Sequence, residues 1–282
     1  MMFRLTNLFL ILSVFASLES KALTCNSILS NDTPTTIFFK AGALQSLESF
    51  ESNLPEFPLV NRNSTHEDIL EIIEEFRAFA NHVRQNALTL DDLTQNLLFH
   101  FAEEVEAEMD RFSIWYNEFR NTWELYKTTS GIVGAASRVK AYYFEAKVGY
   151  LLARSGFQSV RNSITLGELR QDFGDEDSLT HEEKKFLADR AITEIDFIAS
   201  KDGVNYLIEL KSYLPIMNKR FFTNMGKTQT QMKKRNEYLK VLGLESTWKT
   251  MLIFEYEIDP SVMRQHFDEL VDVHFGLMPF TD

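Results

Sequence analysis

The chain has 282 residues, 44% of them apolar and 25% charged, enough to bury one large core or a compact domain with an appendage. Twenty-four Phe exclude wholesale disorder. A net charge of -12 excludes a surface that attracts nucleic acid everywhere, so any nucleic-acid function needs a local basic face.

Residues 1–22 read as a secretory signal. Arg4 is followed by an uncharged stretch from Leu5 to Leu18, and Ser20 and Ala22 are small residues at the -3 and -1 positions of a cleavage site. The run is shorter than the ~20 apolar residues of a spanning helix. The mature chain is therefore expected to be exported and to lack a transmembrane span; an uncleaved N-terminal membrane anchor is the alternative. Cys25 is the only cysteine, so no intramolecular disulfide can form. Asn31-Asp32-Thr33 and Asn63-Ser64-Thr65 match the glycosylation acceptor pattern.

Residues 23–64, with Pro34, Pro55 and Pro58 among many Ser, Thr and Asn, read as a linker or loosely ordered segment. Residues 65–130 form an acidic helical region. Ile69, Ile72, Ile73, Phe76 and Phe79 fall on one helix face, as do Leu90, Leu93, Leu97 and Phe101, with an N-cap in Thr89-Leu90-Asp91-Asp92. Between Glu67 and Glu124 there are 14 acidic and 4 basic residues. This region does not bind nucleic acid by itself; it offers a packing surface or a face for a protein partner.

After Gly131-Ile132-Val133-Gly134 the texture changes, and residues 131–282 read as one mixed α/β unit. A helix is predicted from about Ala136 to Ser155, a strand over 157–164 and a polar insertion over 168–185. Two strands follow over 191–199 and 204–213, then a helix over 227–242, a strand over 250–258 and a last helix capped by Ser261. Asp172-Phe173-Gly174, the loosely calcium-loop-like Asp172 to Glu183 and His181-Glu182-Glu183 all fall in the insertion. Each lacks the partners of the motif it imitates.

The hairpin carries the chemistry. Asp202-Gly203 is the strongest short signal for a two-residue type I′ turn. In that register paired residue numbers sum to 405, which sets Asp196 opposite Glu209, roughly 4.5–5.5 Å apart at Cβ, with Lys211 on the same face. Two carboxylates opposed within apolar sequence repel each other and lose solvation unless a cation compensates. Hard oxygens so arranged suit Mg²⁺. An exposed Glu194–Lys211 cross-strand pair is the plainer account. In the preceding helix, Glu145 shares its face with Ala141, Tyr142, Val148, Gly149 and Leu152, so its carboxylate points to the apolar side.

A Glu in a first helix, Asp-x12-Glu-x-Lys across a hairpin and a following helix with Gln together resemble the PD-(D/E)XK nuclease superfamily, the restriction-endonuclease-like fold. The matching text is YYFEAKVGYLLARSGFQSV, ITEIDFIASKDGVNYLIELKS and TQTQMKKRNEYLK, within about residues 136 to 258. Ile195 stands where many members carry Pro, and no Tyr lies four residues beyond Gln229 or Gln231, so the Gln-x-x-x-Tyr motif of RecB-type members is absent.

The resemblance implies an α/β restriction-endonuclease-like core behind the N-terminal helical region, and Mg²⁺-dependent (or Mn²⁺-dependent) hydrolysis of nucleic acid, expected to be DNA. Asp196 and Glu209 would hold the metal with the Leu210 carbonyl. Lys211 would orient water or stabilise charge, Glu145 would contact metal-bound water or a second ion, and Gln229 or Gln231 would position Lys211 or the backbone. Lys219, Arg220, Lys227, Lys233, Lys234 and Arg235 would meet phosphates, and the interleaved Phe221, Phe222 and Tyr238 would stack on unpaired bases. The other readings are a nuclease-fold protein that binds without cutting and a secreted helical interaction or effector protein. The last expects Glu145 and Asp196 to lie far apart.

Overall fold

The computed structural model describes residues 38–60, 65–119, 125–173, 176–190 and 193–278. The signal-like segment, Cys25, the first acceptor pattern and Asn63-Ser64 of the second lie outside them. Elements run in the order α1 (Ala41–Glu51), α2 (His66–Ala87), α3 (Asp92–Phe119), α4 (Leu125–Arg154), β1 (Gln158–Thr165), α5 (Leu166–Phe173), a 3₁₀ turn, α6 (His181–Ala188), β2 (Glu194–Lys201), β3 (Val204–Lys211), α7 (Lys219–Val241), β4 (Trp248–Tyr256), α8 (Pro260–Phe267) and β5 (Val273–Met278). No helix among the described residues is long and apolar enough to cross a membrane.

The protein is mixed α/β: a five-stranded sheet in the order β1-β2-β3-β4-β5, preceded by a helical region. β1, β2 and β3 are antiparallel, whereas β4 and β5 add on in parallel. The antiparallel joint is tight because Asp202 and Gly203 both sit at positive φ, 52° and 78°, as a type I′ turn requires. The parallel joint needs the long crossover through α7.

α2 begins at a capping box in which the Thr65 side chain accepts from Asp68 N–H and Asp68 accepts from Thr65 N–H. Its stripe of Ile69, Ile72, Ile73, Phe76 and Phe79 is buried. α3 is capped by Asp91, which accepts from Thr94 N–H at 3.0 Å.

Several boundaries differ from those read in the sequence. Ala41–Glu51, within the expected linker, is a helix whose Ala43, Leu44, Leu47 and Phe50 are buried. Four apolar residues at helical spacing outweigh the polar residues around them. The expected break at 130/131 falls inside α4, which runs as one 30-residue helix. One hydrophobic core extends from Phe39 and α1 through α2, α3 and α4 to Ile208, Ile253 and Leu277 of the sheet. The insertion is largely helical. His181-Glu182-Glu183 opens α6, with Glu183 closing a capping box on Thr180, so this tripeptide serves a helix start. The last helix is capped by Asp259, which accepts from Ser261 N–H at 2.7 Å, and not by Ser261.

β5 was not anticipated. It is short, and Gly276 interrupts its apolar alternation because a Cβ there would lie 2.3 Å from the Glu257 Cα and 2.4 Å from its N. Those neighbours are backbone, so Gly276→Ala has no side chain to push aside. It is expected to cost about 1–3 kcal/mol or more, checked by urea unfolding; unchanged stability would mean that β5 packs elsewhere.

Candidate active site

β3 delivers Glu209 and Lys211 to the end of the sheet where β2 begins, so Asp196 of β2 lies at the same edge. The hairpin keeps the predicted register from Lys201↔Val204 through Phe197↔Ile208 and stops one pair short of Asp196 and Glu209. There the Asp196 carboxylate turns inward and accepts the Leu210 N–H at 2.6 Å. On its other side the β1–β2 ladder skips Asp196 between Asn162↔Phe197 and Ile164↔Ile195. The residue between those β1 partners, Ser163, has φ 50°, a left-handed conformation costing a non-Gly residue about 1–2 kcal/mol. The sheet is thus distorted at the position that carries the carboxylate.

Asp196 and Glu145 line one cavity of about 510 Å³, with Asn162, Ser163 and Glu194 from the sheet and His100 and Glu104 from α3. Burial raises the Asp196 pKa to about 7, and the nearby Glu209 charge adds to the rise; Lys211, the Leu210 N–H and Arg235 oppose it. Burial likewise raises Glu145 to about 8, with repulsion from Asp196, Glu194 and Glu104, while the Asn162 side chain pulls the other way. The reading in which Glu145 and Asp196 sit far apart is not what this geometry favours.

Glu209 departs from expectation. Its side chain is 1% exposed, and each carboxylate oxygen accepts from a cation: Oε1 from the Lys211 ammonium, Oε2 from the Arg235 guanidinium. Arg235 also donates to the Glu194 carbonyl. Arg235 was expected on a phosphate-binding face, yet it is 0% exposed. It lies on the stripe of Met225, Thr228, Met232 and Leu239 that packs α7 onto the sheet, so it neutralises Glu209 instead of meeting nucleic acid. Lys219, Arg220, Lys227, Lys233 and Lys234 are exposed. Among the interleaved aromatics only Phe222 is exposed. Phe221 is buried, and Tyr238 is buried with its hydroxyl donating to the Leu166 carbonyl at 2.5 Å.

The two glutamines separate by position. The Gln229 side-chain amide donates to the His266 carbonyl at 2.9 Å, tying α7 to α8. Gln231 lies three residues after Thr228 and four before Arg235, half-buried beside the packed stripe of α7.

His100 and Glu104 are site neighbours that the sequence does not point to. His100 and Glu104 continue the Leu97 and Phe101 face at three- and four-residue spacing, so the helix stripe contained them, though not the sheet edge that they meet.

The donor set suits a hydrated divalent ion. Mg²⁺ uses one or two carboxylates and keeps several waters, and Asp196 with Glu145 offers two hard donors whose repulsion a cation would relieve. Among the described residues no three metal-ligating side chains are assembled into a closed ligand group, and Glu209 already has cationic partners. An ion here would be anchored by Asp196 and completed largely by water.

Stability should report this electrostatic load. Asp196 and Glu145 hold protons in the folded chain up to about pH 7 and 8, and only to about 4 when unfolded. The folded state therefore binds more protons between those limits. The contribution is complete below about pH 4 and is lost as pH rises through 7–8. The metal-free protein should melt several degrees lower at pH 8 than at pH 6, and millimolar Mg²⁺ should raise the melting temperature more at pH 8. A flat profile that Mg²⁺ leaves unchanged would show that these carboxylates are neither strained nor metal-binding.

No protein-family model matches the chain, and neither a curated protein nor a solved structure matches it.

Proposed function

We propose that the chain is a metal-dependent nuclease with a restriction-endonuclease-like core, hydrolysing phosphodiester bonds of nucleic acid, with DNA as the expected substrate. The observation that carries this reading is the meeting of Glu145, from a helix, and Asp196, from a strand, at one cavity, with the Glu209 and Lys211 charges acting on Asp196. The order of a helix, three antiparallel strands, a crossover helix and a parallel fourth strand agrees with that fold.

Asp196, facing Glu145 at the cavity, would anchor Mg²⁺ or Mn²⁺ with a shell completed largely by water, and the ion would supply a Lewis acid that polarises a phosphate and lowers the pKa of bound water. Lys211, one-fifth exposed, donates to phosphate oxygens as negative charge grows on them. Glu145, whose pKa burial and the Asp196 charge raise to about 8 in the metal-free chain, would contact metal-bound water, and a bound cation would relieve that load. Gln231, on the same helix as Arg235 and one turn before it, would help to position Lys211 or the backbone. Arg235 holds the Glu209 carboxylate in place. The N-terminal segment marks the protein for export, which suits a toxin, a secreted effector or a scavenging nuclease.

The engagement of both Glu209 oxygens by cations favours one other reading, a nuclease-fold protein that binds without cutting. One experiment separates the two. The purified chain is incubated with plasmid, single-stranded DNA and RNA, in Mg²⁺ or in EDTA. Cleavage in Mg²⁺ alone supports the nuclease. Binding without cleavage in any metal supports the second reading, and neither binding nor cleavage removes both.

A further inference from the structure

Of the large apolar side chains that are substantially exposed among the described residues, four fall in one short stretch: Leu214 (42%), Ile216 (48%), Met217 (47%) and Phe222 (46%). This stretch follows directly after Lys211. Leu214 is three residues beyond it and so, by chain reach, within about 11 Å. The exposure is built into a pinned backbone. The Tyr213 ring packs edge-on against Phe221 and Phe254, its hydroxyl donates to the Met225 sulfur, Asn218 N–H donates to the Ile216 carbonyl, and Asn218 caps α7 by accepting from Phe221 N–H. Phe222 stands edge-on to Phe221 at 5.3 Å between centroids. Lys219, Arg220 and Lys227 lie in the same surface segment, and no acidic residue occurs between Ser212 and Asn236. In a chain of net charge -12, that is a local reversal of sign beside the candidate active site.

We infer that this apolar and basic lip binds an unpaired nucleic-acid strand, its apolar side chains against base faces and its cations against phosphates, and feeds that strand to the Asp196 edge. The inference rests on the nuclease reading for the direction of the strand. Charge alone would fit a duplex equally well, since phosphates line both. Ile216, Met217 and Phe222 gain contact only with bases that are not stacked in a helix, because a duplex hides its base faces and presents sugars and phosphates.

The test measures binding of the full chain in EDTA, by fluorescence anisotropy, to a 20-nucleotide single strand, to its duplex and to anionic lipid vesicles, and separately measures cleavage in Mg²⁺. The single strand is expected to bind at least about tenfold more tightly than the duplex. The triple variant Ile216→Ser, Met217→Ser, Phe222→Ser should lose about tenfold or more on the single strand and little on the duplex. These side chains are exposed, so the variant should melt like the parent. Lys219→Glu with Arg220→Glu should weaken both and flatten the salt dependence. Equal binding of both forms, an unchanged triple variant, or capture by vesicles without oligonucleotide binding would each overturn the inference, the last marking the lip as a membrane contact. Strand-selective binding lost in the triple variant but without cleavage in Mg²⁺ would sink the nuclease reading and leave the lip. Cleavage with no strand preference would do the reverse.

Discussion

Asp196→Ala and Lys211→Ala are each expected to reduce Mg²⁺-dependent cleavage about a hundred- to a thousandfold, the scale on which loss of one preorganised charge-stabilising group acts. The chain should stay folded in both. Asp196→Asn removes a charge whose pKa burial and Glu209 have raised to about 7, and the amide oxygen can still accept the Leu210 N–H. At about 1.4 kcal/mol per pKa unit, that variant should be more stable than the parent at pH 8 by about 2 kcal/mol or more, while cleaving nothing. A variant inactive yet stabilised is the signature of a side chain kept for chemistry at the expense of the fold. Full activity in any of these purified variants would refute the assignment. A stability loss in Asp196→Asn would instead make Asp196 a structural acceptor.

Arg235→Ala should be the most damaging single change to stability, by up to about 3–5 kcal/mol, because it takes one of two cations from a buried carboxylate. Glu209 lies in the core with one oxygen on Arg235 and the other on Lys211, and Arg235 also draws α7 to the Glu194 carbonyl. Urea unfolding of Arg235→Ala, Glu209→Gln and the double variant checks the pairing. The double variant should recover more than half of the loss, since a neutral Gln beside a missing Arg leaves no isolated charge. A strictly additive double variant would show that Arg235 acts through packing alone.

The hairpin was legible because Asp202-Gly203 leaves a two-residue turn little choice, and once the turn is set the pairing follows from it as far as Phe197↔Ile208. Glu145 was legible because α4 is long enough for its faces to be read. The two outermost pieces were not. α1 has too few turns to stand out from the Ser-rich sequence around it, and β5 owes its strand state to the β4 edge that it joins, not to its own pattern. Arg235 was legible and misread. Lys-Lys-Arg looks like one basic patch in sequence, yet on a helix Lys233 and Lys234 turn outward while Arg235 falls four residues before Leu239 and three after Met232, on the buried stripe. For residues of like charge, helical phase and not proximity decides which meet solvent.

α4 belongs to both halves of the molecule. Its apolar side chains complete the core of α2 and α3 and also cover the sheet, and Glu145 sits in its last third. A recombinant fragment beginning at residue 131 would cut this rod near its start and lay bare the face that α3 normally covers. It should come out of expression as aggregate, not as a trimmed catalytic module. Any loosening between α3 and α4 in the intact chain would also shift Glu104 relative to Glu145, so a ligand gripping the acidic helices could tune the chemistry without touching a strand.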